Sequence, residues 1–434
     1  MSNTINKELT TLIEADVINI ATAVKIQDFY KLKSGQSQNR LVIMFGILGA
    51  MLMGMGTILI IAHNWDELSK LTRTVIAFVP LLLGQAIAAF TMFRKPESVA
   101  WREAATTFLF FAIGASISLV SQIYNIQGDM GDFLQTWAIL CLPLVYLLRS
   151  SVGSLLYIIG ISWYATEVGW TYGNANETYW YWLMFLAILP HYYMLYKRQP
   201  NSNFMTFHNW VVPLSLLFTL STLSNGMEEL MFVAYISMFG IFYIIGTNTF
   251  FKTQKSRNNG YLTIGALGTS SLLLSLSFTD WFWGDLSRNL TPWSQISSSP
   301  EGIAIIVSTV IAGAMLFYFN RQKTLLAIKP ISFVFVLFVP TFILGFYAPL
   351  VSVIIVNLMI LILGLLTINN GAKKDNLGIM NYGLIILTGL ITCRFFDSDI
   401  SFVLRGVLFL IMGLGFFVTN FWMLNKRKNL NHAA

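Results

Sequence analysis

Long apolar runs separated by short polar segments constrain this 434-residue chain more than any other feature of its sequence. A helix needs about 20 mostly apolar residues to cross a bilayer, where the backbone must satisfy its own hydrogen bonds. Because some of the runs are short, we expect twelve to fourteen spans. The fourteen candidates are residues 41–62, 74–93, 105–124, 134–148, 152–170, 179–196, 209–224, 231–251, 261–279, 302–319, 331–347, 350–368, 379–394 and 402–422.

The composition agrees with a bilayer as the natural solvent of the chain. Only 11% of the residues are charged, whereas a soluble domain has about 25%. We therefore predict an all-α fold, a polytopic transmembrane helix bundle in contact with membrane lipid. The two cysteines, Cys141 and Cys393, both lie in apolar runs, and we interpret them as free, buried side chains. We expect no metal site and no cofactor.

The positions of the basic residues predict the orientation of the chain. Cytoplasmic loops next to membrane helices are enriched in Lys and Arg. If the N-terminus is inside and the fourteen spans alternate, 22 of the 27 Lys and Arg residues lie in cytoplasmic segments. This pattern places both termini in the cytoplasm, and it explains the net charge of +7 without a nucleic-acid partner.

The chain accordingly divides into three segments. Residues 1–40 are expected to form a cytoplasmic amphipathic segment, in which the apolar periodicity over residues 5–33 predicts two short helices. Residues 41–422 form the multi-pass transmembrane domain, and residues 423–434 form a basic cytoplasmic tail. The N-terminal segment either docks on the membrane bundle or binds a partner.

The sequence IIAHNWDEL, at residues 60–68, ends the first span on the predicted outer side. His63 and Glu67 are four residues apart and share a face if the helix continues. One interpretation is a helix end in headgroup water, with Trp65 in the interfacial aromatic belt. The other is a His–carboxylate pair that binds a cation or transfers a proton.

Further polar groups lie on the same predicted side. Gln122, Tyr124 and Asn125 end the third span. The thirteenth span ends in CRFFDSDISFVLRG, and an arginine inside a span is costly unless it is paired. We expect Arg405 to pair with an acidic residue of this stretch, either as a structural clamp between the last two helices or as part of an anion site. The charged residues concerned are Arg394, Asp397, Asp399 and Arg405.

The outer loop at residues 280–301 is the longest loop on that side. It contains three tryptophans, and tryptophan side chains favour the membrane interface. The loop is therefore a candidate for an interfacial lid on the outer leaflet. The tryptophans are Trp281, Trp283 and Trp293.

Three sequence blocks together resemble a known family. They are LIIAHNWDELSKLTR, GASISLVSQIYNIQGDMGDFLQTWAILCLPLVYLLRSS and RFFDSDISFVLRGVLFLIMGLGFFVTN. With the amphipathic N-terminus, they are similar to the bacterial predicted-membrane-protein family called domain of unknown function 2157, over about residues 10–150. The resemblance implies a multi-pass protein of the bacterial inner membrane and assigns it no activity. It also implies that the HNWDE and QIYN blocks are recurrent motifs, which favours a site at His63, Asn64, Trp65, Asp66, Gln122 and Tyr124.

Three functions are compatible with the sequence. Polar residues within apolar spans favour a transporter or flippase-like protein for a small solute or lipid-linked molecule, with a polar pocket that opens to the periplasm. A non-catalytic scaffold or sensor that acts through its N-terminal helices is the second. The third is a membrane-embedded acyl- or glycan-transferring enzyme with His63 and either Glu67 or Asp66 as acid–base groups. We favour a protein that is not an enzyme, and the absence of a P-loop or an HExxH motif argues against an ATP-driven pump or a metalloprotease.

Overall fold

In the computed structural model, all the secondary structure of the described residues is helical. Eight of the described helices are long and apolar enough to cross a membrane. The all-helical membrane fold is therefore confirmed, whereas fourteen spans and two cytoplasmic termini stay predictions. The structure describes residues 9, 11–63, 68–171, 178–252, 254, 256–278, 282–288, 293–321, 329–396, 401–403, 405–407, 409–410, 413–414 and 417.

The first of two compact units comprises Met1–Glu167 and Trp180–Pro200. Each of its predicted spans coincides with a helix. A π-helical turn at Glu167–Thr171 follows the fifth of them. The helices are α1 (Ile20–His63), α2 (Lys70–Arg94), α3 (Val99–Tyr124), α4 (Met130–Leu147), α5 (Ser151–Thr166) and α6 (Tyr179–Arg198).

Helix α1 differs from the predicted pair of short N-terminal helices. Residues 11–14 are helical, and a turn with Asp16 at a φ of 57° separates them from α1. From Ile20, one helix of 44 residues passes residue 40 without a break and continues to His63. The apolar periodicity could not reveal this continuity, because it changes character where the chain enters the apolar run. No proline interrupts the stretch, so nothing in the backbone ends the helix there.

Close helix contacts in the first unit form at small residues. A Cβ added to Gly84 of α2 would lie 3.3 Å from the Cα of Leu109 in α3. On the same pair of helices, Ser116 Oγ donates a hydrogen bond to the carbonyl oxygen of Ala77 at 2.7 Å. Without a hydrophobic force between helices in lipid, such packing and interhelical hydrogen bonds hold them together.

A buried carboxylate joins α3 to the start of α5. Glu103 is 1% exposed. Its oxygens accept hydrogen bonds from Ser150 Oγ and from the backbone N–H groups of Ser151 and Val152, the latter two at 2.9 Å. The first N–H groups of a helix have no partner within that helix. Glu103 therefore caps α5 from a neighbouring helix.

The second unit comprises Val168–Tyr179 and Asn201–Ala434. Its predicted spans up to residue 394 coincide with helices, and the fourteenth lies largely outside the described residues. Short 3-10 turns at Ser221–Leu223, Ser256–Asn258 and Pro330–Phe333 connect the helices. These are α7 (Asn203–Leu220), α8 (Glu228–Gly246), α9 (Thr249–Lys252), α10 (Gly260–Ser275), α11 (Trp283–Arg288), α12 (Trp293–Ser298), α13 (Pro300–Asn320), α14 (Val334–Gly345), α15 (Pro349–Lys373) and α16 (Leu377–Phe395).

Trp283 corrects the interpretation of the outer loop as a lid. Its side chain is 0% exposed and belongs to the main apolar core of this unit. Its indole N–H donates to the carbonyl oxygen of Leu276 at 2.8 Å. A Cβ added to Gly345 would lie 2.4 Å from the ring, so this glycine makes room for it. Trp283 thus anchors the loop in the protein core, while Trp281 and the side chain of Trp293 lie outside the described residues.

Candidate ligand-binding cleft

The predicted HNWDE site lies largely outside the described residues. Helix α1 ends at His63, whose side chain is not among those described, and Asn64, Trp65, Asp66 and Glu67 follow in the undescribed stretch. The pairing of His63 with Glu67 therefore stays a prediction.

The QIYN block forms the end of α3 in the first unit. Tyr124 contacts the start of α2, because its hydroxyl lies 3.2 Å from Thr74 Oγ1 and the Lys70 ammonium lies 4.7 Å above its ring. Asn125 ends the helix with a φ of 50°, a left-handed conformation that asparagine tolerates well. Gln122 is exposed. The block thus lies beside the residues that follow HNWDE in sequence.

The predicted arginines lie in the second unit. Arg394 Nη2 donates to Ser277 Oγ at 3.1 Å, and its guanidinium lies 4.8 Å from the Phe278 ring. These contacts join the end of α16 to the segment after α10. Arg405 Nη1 donates to the carbonyl oxygen of Phe395 at 3.0 Å, at the C-terminal end of α16.

The contacts of both arginines attach the end of a helix to a neighbouring segment of the chain. The predicted acidic partners, Asp397 and Asp399, lie outside the described residues, so their pairing with Arg405 stays a prediction. Within the described ranges, no three His, Cys, Asp or Glu side chains lie close enough together to hold a metal ion.

An open cleft in the second unit is the better candidate for a site. Its volume is about 710 Å³, within the range of roughly 300–1,000 Å³ that is typical of small-molecule sites. Both polar and apolar side chains line it. They are Gly169, Trp170, Leu217, Phe218, Ser221, Ser224, Glu228, Met231, Phe232, Tyr235, Phe239 and Leu272.

One face of α8 forms the main wall of the cleft. The wall residues are three or four apart, the spacing that places side chains on the same face of a helix. The carboxylate of Glu228 lies at the helix start, and the aromatic rings follow along the axis. The five residues are Glu228, Met231, Phe232, Tyr235 and Phe239.

The π-helical turn and the 3-10 turn after α7 form part of the rim. Trp170 is 57% exposed, and its indole N–H donates to Ser221 Oγ at 3.2 Å. A Cβ added to Gly169 would lie 2.5 Å from the Cβ of Thr222, so only glycine permits this close approach. The Tyr235 hydroxyl of α8 donates to the carbonyl oxygen of Leu217 in α7 at 3.0 Å.

A buried carboxylate holds the remaining part of the rim. Glu301, in the first turn of α13, is 0% exposed. Its Oε1 accepts hydrogen bonds from Ser224 Oγ at 3.2 Å and from the backbone N–H groups of Asn225 at 2.5 Å and Met227 at 3.2 Å. This loop contains Gly226 at a φ of +105° and leads directly into Glu228. Glu301 therefore positions both Ser224 and the start of α8.

The sequence interpretation did not include the residues of this cleft. The apolar stripe on α8 has the same spacing as a stripe that packs against another helix, so periodicity cannot distinguish the two. The one available signal was an acidic residue, Glu228, in register with that stripe. Glu301 gave none, since its partners are 74 to 77 residues away in the sequence.

Comparisons with known proteins agree with the resemblance and do not extend it. Residues 10–154 match the model of a family described as Predicted membrane protein (DUF2157). The match confirms the predicted family for this part of the chain, and it includes HNWDE and QIYN but none of the cleft residues. No curated protein and no solved structure matches the chain.

Proposed function

We propose that the protein binds an amphiphilic small molecule or lipid-linked molecule in the cleft of the second unit, as the binding step of a transporter or flippase. The observation that carries this proposal is the cleft itself, whose lining combines aromatic and aliphatic side chains with a few polar ones. A ligand with an apolar part and a polar head is complementary to such a lining.

The predicted orientation of the chain indicates on which side of the membrane the cleft opens. Trp170, Ser221 and Glu228 all lie near the outer ends of predicted spans, so the cleft would open toward the periplasm. The family resemblance supports a bacterial inner membrane, and the positions of the basic residues favour a cytoplasmic location for residues 1–40 and 423–434. A ligand would then enter from the outer leaflet or the periplasm.

In a bilayer the apolar wall alone gives little selectivity. Acyl chains are as apolar as the phenylalanine side chains, so transfer from lipid to the cleft gains little hydrophobic free energy. Preference for one ligand must therefore come from shape and from the polar groups, which are Ser221, Ser224, Glu228 and Tyr235.

A scaffold or sensor is the second candidate, and one observation favours it. Helix α1 is continuous over 44 residues, from the predicted cytoplasmic segment to the end of the first predicted span. A rigid helix of this kind is able to transmit a change in the membrane domain to a cytoplasmic partner. The enzyme hypothesis depends on His63 together with Glu67 or Asp66, and none of these is among the described lining residues of the cleft.

Filling the cleft tests the proposal. Leu272 lines the cleft, whereas Leu267 on the same helix is 49% exposed and does not. We expect native mass spectra of the wild type and of Leu267→Trp, purified in mild detergent, to show a retained amphiphile of defined mass. Leu272→Trp should lose it, because the indole occupies the cleft. Equal spectra for all three proteins would contradict ligand binding at this place.

A further inference from the structure

We infer that the cleft selects an amphiphile whose head carries a positively charged ammonium group. The inference rests on the proposed function and specifies its class of ligand. Three features support it: the charge of the lining, the availability of the Glu228 carboxylate to a ligand, and the aromatic side chains of the lining.

Among the described residues, the lining contains one charged side chain. Glu228 is acidic, and the other eleven lining residues include no lysine, arginine or histidine. An anionic head placed here would therefore face a carboxylate, with no compensating cation among the described lining residues. This favours a cation over an anion.

The Glu228 carboxylate is available to a ligand. The residue is exposed, and its side chain forms no hydrogen bond or ion pair within the described part of the chain. Oε1 of Glu301 instead accepts three hydrogen bonds from the loop at residues 224–227, and the side chain is buried. One acidic residue thus holds the loop, and the other is exposed in the lining of the cleft.

Aromatic side chains supply the second element of ammonium recognition. Five of the twelve lining residues are aromatic. Trp170 and Phe218 are 57% and 52% exposed, and the hydrogen bond to Ser221 holds the Trp170 indole at the rim. An ammonium group within about 6 Å of an aromatic face is attracted by the ring quadrupole, and quaternary ammonium ligands are commonly recognised in this way.

A lipid headgroup and a free organic cation share this chemistry. We commit to the amphiphile, because the wall that continues from Glu228 is apolar over three turns of α8, through Phe232 to Phe239. A free cation would contact Glu228 and make no use of the apolar wall.

Equilibrium dialysis of the purified full-length protein in a nonionic detergent tests the inference, with protein-free micelles as the blank. The probes are octyltrimethylammonium, octyl sulfate and octyl glucoside, which differ in head charge, and choline, which lacks the chain. We expect octyltrimethylammonium to bind about tenfold more tightly than the other three probes. Glu228→Gln should remove most of this preference.

Glu229→Gln is the matched control, since Glu229 is the next residue in sequence and does not line the cleft. We expect it to bind octyltrimethylammonium like the wild type, with an unchanged apparent unfolding temperature in both variants. Equal binding of the three octyl probes, or an unaffected preference in Glu228→Gln, would overturn the ammonium inference and leave the proposed function standing. Choline binding as tightly as octyltrimethylammonium would support the ammonium site and contradict the amphiphile. Binding of none of the probes would contradict both.

Discussion

Glu301 shows how much one buried residue determines at this cleft. It accepts three hydrogen bonds from the loop at residues 224–227, and this loop connects the polar rim to Glu228. The side chain does not line the cleft. It is therefore a positioning residue, whose effect on a ligand is transmitted through the loop.

We expect Glu301→Ala to lower both stability and ligand binding. A buried N–H that loses its acceptor costs about 1–3 kcal/mol, and the alanine variant leaves two of them, on Asn225 and Met227. The apparent unfolding temperature should fall by several degrees, and binding of octyltrimethylammonium should weaken with it. Scanning fluorimetry and equilibrium dialysis measure the two effects.

Glu301→Gln is the informative comparison, because its amide oxygen is still able to accept bonds from the loop. It should remain closer to the wild type in both measurements. If alanine leaves both the unfolding temperature and the binding unchanged, Glu301 does not position the rim.

Residue types that are rare in apolar runs could be found from the sequence, but their partners could not. Arg394 and Arg405 were identified because charge within a span is costly. The contacts that the structure gives them, to Ser277 and Phe395, depend on how α10 and α16 end. Trp283 was misinterpreted for the same reason, since its burial depends on the space that Gly345 leaves.

At the scale of the helix, the length of an apolar run predicts a helix reliably. The spacing of residues on one helix face does not predict what that face contacts. The runs predicted every long helix from α2 to α16 among the described residues, because the backbone in lipid has no other way to satisfy its hydrogen bonds. The stripe on α8 gave no sign that it faces a cleft rather than a neighbour. Contact between helices depends on packing between distant parts of the chain.

Because Glu103 caps α5, removing its carboxylate is predicted to destabilise the protein. Removing the carboxylate leaves the N–H groups of Ser151 and Val152 without their acceptor. We expect Glu103→Ala to destabilise the protein by about 1–3 kcal/mol, seen as a lower apparent unfolding temperature in detergent. Glu97 is exposed and lies just before α3, the helix that contains Glu103. Glu97→Ala should have little effect. Equal unfolding temperatures for the two variants would show that the cap does not stabilise α5.

At the scale of the molecule, the match to residues 10–154 and the cleft belong to different units. The family description covers the HNWDE and QIYN blocks, while the lining of the cleft begins at Gly169. Charge asymmetry predicted the orientation of all spans at once, which a single helix cannot provide. The same asymmetry gives no information on which unit binds a ligand.

The central claim is that the second unit has a ligand-binding cleft open to the outer side. Labelling of Ser221→Cys in intact cells by a membrane-impermeant maleimide tests it most directly, with Cys141 and Cys393 replaced by alanine. Lys95→Cys, in an exposed loop on the predicted inner side, is the control and should react only after permeabilisation. We predict that Ser221→Cys reacts in intact cells and that octyltrimethylammonium protects it. Reaction only after permeabilisation, or reaction that the amphiphile does not slow, would contradict the claim.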